Sequence, residues 1–218
     1  MGESLNKAII FDFDGTLVDS EITIYQCFQS ITNYLAPERV DYAKNILIGP
    51  PLRDTASEIL GPHHQGKLDE FVKKFIEMHD EHVIKNTQPY TGVIETLKKL
   101  SSEGISMAVA TNKRYAPTIK LINHFDWQKY FTSVECSDSQ SRIRNKDEMI
   151  KEILKNTNFT KAFFVGDTIN DGLSANLNQL PFILARYGYG KNQNWMKVNI
   201  FDSINKFYEL NFLIKKYS

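Results

Sequence analysis

The sequence predicts an α/β fold: a parallel sheet covered by helices on both faces, with an all-helical module inserted after the first strand. Two observations carry this expectation. Short, nearly continuous apolar runs alternate with stretches of helical character, the pattern of strands buried on both faces. One interval, from about residue 20 to residue 86, breaks that alternation because it holds no convincing strand.

The first strand is Ala8-Ile9-Ile10-Phe11, and Gly15 ends it just past Asp12-Phe13-Asp14. A helix at 93–103 precedes a strand at 105–111, and a helix at 117–123 precedes a weaker strand at 131–136. A helix at 147–156, a clear strand at 161–166, a helix at 171–178 and a weaker strand at 181–185 complete the series. Within the inserted interval, Leu68, Phe71, Val72, Phe75, Ile76, His79 and Val83 keep helical spacing. Residues 22–35, 40–47 and 52–60 also read as helices, punctuated by Pro37, Gly49-Pro50-Pro51 and Gly61-Pro62. The expected organisation is a core of residues 1–18 and 88–218 and a helical cap of residues 19–87. The hinges are placed at 18–20 and 88–92.

Composition narrows the function. At 218 residues, with 42% hydrophobic and 24% charged residues, the chain reads as a soluble globular protein rather than a disordered one. Lysine plus arginine balances aspartate plus glutamate at 26 each, so no net field argues for a nucleic-acid polymer or a membrane surface as partner. No apolar run approaches the ~20 residues of a membrane helix. Cys27 and Cys136 are far apart, lack a CxxC partner and read as buried free thiols, which fits a cytoplasmic protein.

The chemistry concentrates at strand ends. Asp12 and Asp14 are two residues apart, which puts their side chains on one face of an extended segment, roughly 7 Å from each other. Two carboxylates held together there repel, and burying them unpaired is costly, so a divalent cation is the expected partner. Three further polar clusters close later segments. They are Thr111-Asn112-Lys113, Lys146 behind the loop Ser141-Arg142-Ile143-Arg144-Asn145, and Gly166-Asp167-Thr168-Ile169-Asn170-Asp171. In an open parallel sheet the C-terminal strand ends form the ligand crevice, where all four clusters should meet.

These four clusters, in this order, resemble the motifs of the haloacid-dehalogenase-like hydrolase superfamily. DFDGTLVDS is the most specific of them and GDTIND nearly as specific. The helical insertion after the first strand is similar to that of the phosphoglycolate-phosphatase-like branch, and Arg186-Tyr187-Gly188-Tyr189-Gly190 resembles a late loop of the same branch. The resemblance runs from Lys7 to about Leu210 and implies a Rossmann-like core. It implies that Asp12 is the nucleophile, forming an aspartyl-phosphate, and that Asp14 protonates the leaving oxygen and then deprotonates water. It implies Mg²⁺ on the Asp12 carboxylate, the Asp14 carbonyl and Asp167, with Asp171 further out or acting through water. Lys146 would supply a second positive charge, and the Thr111 hydroxyl and Asn112 N–H would hold a phosphoryl oxygen. Lys146 enters a helix directly, without the Lys-Pro-x-Pro turn usual in this branch, so Arg142 and Arg144 compete for its role.

The resemblance thus implies a Mg²⁺-dependent phosphatase acting on a small-molecule phosphate ester, such as phosphoglycolate, a sugar phosphate or a nucleotide, as a monomer or homodimer. A phosphomutase similar to β-phosphoglucomutase is the nearest alternative, and a non-catalytic binding protein a more distant one. Asp14 argues against the binding protein, which has no chemical need of it, and against dehalogenation, which needs no acid there. Without the resemblance, Thr111 and Asp171 read as helix caps, as do Asp19 and Ser20 before the first inserted helix. His63, His64, His79 and His82 read as solvated or packing side chains. Arg53, after Gly49-Pro50-Pro51, matches a substrate-facing loop in related insertions and is a candidate anion contact in the cap.

Overall fold

The computed structural model describes residues 7–157, 159 and 161–217; the other residues of the expected core, 1–6, 158, 160 and 218, lie outside these. The chain opens with β1 (Lys7–Phe11) and β2 (Val18–Asp19), then α1 (Glu21–Leu35), α2 (Val40–Ala43), α3 (Leu52–Leu60) and α4 (Leu68–Asn86). It returns through β3 (Gln88–Pro89), α5 (Val93–Ser102), β4 (Ser106–Thr111), α6 (Tyr115–His124), β5 (Ser133–Cys136) and α7 (Lys146–Lys155). It closes with β6 (Lys161–Gly166), α8 (Ile169–Leu177), β7 (Phe182–Ala185), β8 (Ile200–Ile204) and α9 (Leu210–Lys216).

Six strands form one parallel sheet in the order β5-β4-β1-β6-β7-β8. The strand period of two divides its residues between two apolar layers. Ile9, Phe11, Met107, Val109, Phe163 and Val165 face one side and pack on α5, α6 and α9 through Leu97, Leu121 and Leu210. Ile10, Ala108, Ala110, Phe164 and Leu184 face the other and pack on α7 and α8 through Met149, Ile153 and Ala175. Burial on both faces explains why these strands read as unbroken apolar runs.

The helices between β2 and β3 have a core of their own. Ile24, Cys27, Phe28, Ile31 and Leu35 of α1 meet Ala56, Ile59 and Leu60 of α3 and Phe71 and Phe75 of α4. The two linkers that tie this cap to the sheet pair with each other, β2 against β3, antiparallel, with Val18 opposite Pro89. The helix expected over 40–47 stops at Ala43. The Asn45 side chain takes the Asp41 carbonyl at 2.9 Å in place of the next helical N–H, and the Tyr25 hydroxyl donates to the Ile46 carbonyl at 2.8 Å in the loop beyond. The edge strand β8 and helix α9 carry no signal strong enough to stand out in the sequence. Cys27 and Cys136 are buried free thiols, and burial pushes the Cys27 thiol up to about 11. Among the described residues no helix is long and apolar enough to cross a membrane.

Candidate active site

The central strand β1 lies between β4 and β6, so Asp12, Thr111 and Asp167 arise at the C-terminal ends of three adjacent strands. The Asp12 N–H donates to the Val165 carbonyl at 2.9 Å and extends the pairing one residue past β1. Phe13 then drops into the core beside Trp127, ring centroids 6.5 Å apart, while Asp12 and Asp14 line the cleft above. Gly15 turns the chain at φ +80°, and a Cβ there would sit 2.3 Å from an Asp167 oxygen. Only glycine satisfies both the turn and that approach.

Lys146 is the pivot of the cluster. Its Nζ lies 2.7 Å from Asp12 Oδ1 and also donates to Asp171 Oδ1. It starts α7 directly because the Glu148 carboxylate takes the Asn145 N–H at 3.0 Å, a local cap that needs no proline turn. The two competing arginines are held elsewhere. Arg142 pairs with Glu148 at the surface, and buried Arg144 donates to Glu135 at 2.6 Å and to the Cys136 carbonyl.

Asp171 has both oxygens engaged. Oδ2 accepts from the Asp167 N–H at 3.1 Å and from the Thr168 N–H and hydroxyl at 2.8 and 2.7 Å, while Oδ1 faces Lys146. One oxygen therefore closes the start of α8, as the cap expectation has it, and the other is held by Lys146. Asp167 accepts from the Thr16 hydroxyl at 3.1 Å and from the Tyr189 N–H at 2.6 Å.

Asp12, Asp167 and Asp171 each offer an oxygen within 4.8 Å of the others, and all three residues are buried. Burial first, and then the Asp171 charge, raise the Asp12 pKa to about 7 against the pull of Lys146. The same two causes, with Asp12 added, raise that of Asp167 well above the usual carboxylate range. Burial disfavours the Lys146 ammonium, but Asp12 and Asp171 together outweigh it and raise its pKa. One lysine is too little charge for this cluster, and an all-oxygen donor set fits a hard divalent cation.

Asp14 carries a partner that the sequence did not reveal. Lys113 Nζ lies 3.0 and 3.1 Å from its two oxygens, and the Ser20 hydroxyl donates to Oδ1 at 2.6 Å. Ser20 is held in turn by the Tyr189 hydroxyl, which accepts its N–H at 2.9 Å. Lys113 Nζ also stands 3.4 Å from His79 Nε2. An ammonium has no lone pair to offer, so this ring nitrogen is the acceptor and Nδ1 carries the proton facing Asp80. His79 is a buried residue stacked on Phe75 and lining the cleft. Its neighbourhood to TNK was invisible in one dimension, because 34 residues separate His79 from Lys113.

Thr111 is buried at the end of β4, and its hydroxyl accepts the Lys113 N–H at 3.2 Å. The Asn112 side-chain amide donates to the Gly49 carbonyl at 2.8 Å and ties the cap loop to the core. Both residues line the cleft together with Asp12 and Asp14. Arg53 does not line it. This residue is exposed on α3 and pairs with Asp69 of α4 at 2.8 Å.

The family model described as haloacid dehalogenase-like hydrolase matches residues 9–185. A phosphoglycolate phosphatase from Rhodobacter capsulatus is 31% identical over 84% of this chain and 86% of its own length. The pyrophosphatase PpaX from Listeria innocua is 29% identical over 75% of each chain. A haloacid dehalogenase-like family hydrolase from Streptococcus pneumoniae shares the fold at a TM-score of 0.80 and 21% identity, covering 95% of this chain and 97% of that one.

Proposed function

The chain belongs to the haloacid dehalogenase-like hydrolase family, and from that premise we propose that it is a magnesium-dependent phosphatase of small-molecule phosphate monoesters, with Asp12 as nucleophile. The observation that carries this reading is the buried Lys146 ammonium bridging Asp12, which lines the cleft, and Asp171, with Asp167 beside them. A phosphate dianion needs positive charge where it lands, and the nucleophilic oxygen needs to be held still. Lys146 serves both needs at Asp12.

Asp12 and Asp167 would hold the metal, with the Asp14 carbonyl as a third ligand and Asp171 behind them. When bound, Mg²⁺ supplies charge neutralisation to the phosphoryl oxygens and to the carboxylates around them. In the first step an Asp12 oxygen attacks phosphorus, a new P–O bond forms, the bond to the leaving oxygen breaks, and Asp14 gives that oxygen its proton. In the second step water attacks the aspartyl-phosphate, Asp14 takes the water proton, and phosphate departs from a restored Asp12 carboxylate. The Lys113 and Ser20 contacts fix the orientation Asp14 needs for both transfers. The Thr111 hydroxyl and the Asn112 N–H are the proposed contacts for the remaining phosphoryl oxygen.

The test is phosphate release from a panel of monoesters with Mg²⁺ and with chelator, for the wild type and Asp12→Asn. Release is expected only with metal, and Asp12→Asn is expected to lower turnover on the order of 10⁴-fold or more. Turnover by Asp12→Asn at the wild-type rate would refute the mechanism. Transfer of phosphate to a sugar phosphate in place of water would mark a phosphomutase.

A further inference from the structure

The cleft has two unlike walls. The floor is polar and charged, built from Asp12, Asp14, Thr111, Asn112 and Lys113. The cap wall facing it presents Ile24, Phe28, Ile48, Leu52 and Phe75. Among the described residues, the polar side chains that the cap adds to this lining are Thr55 and His79. The Thr55 hydroxyl turns back to the Pro51 carbonyl at 3.3 Å. Burial, with the Lys113 charge beside it, lowers the His79 pKa against the opposing pulls of Asp80 and Asp14, and the ring is neutral at pH 7.

The cations of this region already have partners. Lys113 sits on both Asp14 oxygens, Arg114 donates to Asp80, and Lys146 lies between Asp12 and Asp171. Of the cap cations next in sequence to this wall, Arg53 pairs with Asp69 outside the cleft and Lys74 with Glu70 one turn back on its own helix. A second anionic group on the substrate, beyond the phosphoryl group, would leave water for an apolar wall with no uncommitted cation to meet it among the described residues. An uncharged apolar body would instead remove its own surface and that of the cap wall from water.

We infer that the leaving group of the substrate is an uncharged alcohol with an apolar body, so that the phosphoryl group carries all of the ester's charge. This rests on the phosphatase reading above and goes beyond it, because glycolate and phosphate are anionic leaving groups. Ile24, Phe28, Ile48, Leu52 and Phe75 select the alcohol, while the floor holds the group common to all esters.

The experiment compares benzyl phosphate with its para-carboxylate, two esters with the same leaving atom that differ by one charge at the far end, in saturating Mg²⁺ near neutral pH. The uncharged ester is expected to have a kcat/KM roughly tenfold higher or more. Leu52→Arg places a cation in the cap wall and is expected to shrink that ratio at least about fivefold. A wild-type ratio of one or below, or hydrolysis of sugar phosphates but of neither benzyl ester, overturns the inference and leaves the phosphatase reading intact. An unchanged ratio in folded Leu52→Arg overturns the assignment to this wall. Absence of phosphate release from every ester of the panel overturns the phosphatase reading itself.

Discussion

Stripping the metal and replacing Asp12 by asparagine together expose the strain of holding three carboxylates around one lysine. In the metal-free protein, burial and Asp171 raise Asp12 from 3.8 to about 7. At about 1.4 kcal/mol per pH unit, that difference is worth on the order of 4 kcal/mol. The unfolded chain releases this proton near 3.8 and the folded chain near 7, so between these values the folded state binds more protons. Stability therefore falls as pH rises through that window and levels off above it. Asp167, raised by burial, Asp171 and Asp12, acts in the same direction. Asp12→Asn removes one titrating carboxyl and one of the charges acting on Asp167, and keeps an amide oxygen that can accept from Lys146. Urea unfolding in EDTA is expected to show the wild type losing roughly 3 kcal/mol from Asp12 alone between about pH 5 and pH 8. Asp12→Asn should be the more stable protein at about pH 8, by a similar amount, and the gap should close toward pH 5 and on adding Mg²⁺. A stability difference between Asp12→Asn and the wild type that does not grow from pH 5 to pH 8 in EDTA, or an Asp12→Asn protein less stable at both, would refute this electrostatic account. The opposite titration of His79 is common to both proteins and cancels in that difference.

Lys113→Met removes the ammonium that touches both Asp14 oxygens and should lower kcat by roughly 10²–10⁴-fold, the range of a misplaced general acid–base group, in protein shown by circular dichroism to be folded at the assay temperature. Lys113→Arg, which keeps the charge, should recover part of that loss in the same steady-state assay. Gly188→Ala would put a Cβ 2.3 Å from the Asp167 Cβ and 2.4 Å from the Gly15 carbonyl oxygen. About 1–3 kcal/mol of destabilisation in urea melts and a higher Mg²⁺ concentration for half-maximal activity are expected, because Asp167 has to move.

Local pattern sufficed for much of the fold. The apolar runs around residues 8–11, 105–111 and 161–166 belong to strands buried on both faces, so the requirement is written into consecutive residues. The longer cap helices α1, α3 and α4 were readable because each buries one stripe at helical spacing, as α1 does through Ile24, Cys27, Phe28, Ile31 and Leu35. The region at 40–47 shows where pattern fails: the Asn45 side chain takes the Asp41 carbonyl that the next helical N–H would use, and the Tyr25 hydroxyl holds the Ile46 carbonyl in the loop that follows. The edge strand β8 was missed for a related reason. Only its last residue is fully buried, so its sequence lacks the continuous apolar run that marks the central strands.

By itself the sequence determined the sheet-and-cap architecture and the four clusters at strand ends, because sheet topology brings the C-terminal ends of adjacent strands together whatever lies between them. Only the tertiary structure decided which partner each charge takes. It put Lys146 rather than Arg142 or Arg144 on Asp12, set Lys113 on Asp14, brought His79 to Lys113 from the cap, and paired Arg53 with Asp69 away from the cleft. The physical reason is that a charge pairs with whatever the closed fold leaves within a few ångströms. Lys113 and Asp14 are 99 residues apart, and Tyr189 and Ser20 are 169 apart. No local spacing encodes such pairs; they exist only once cap and core have packed.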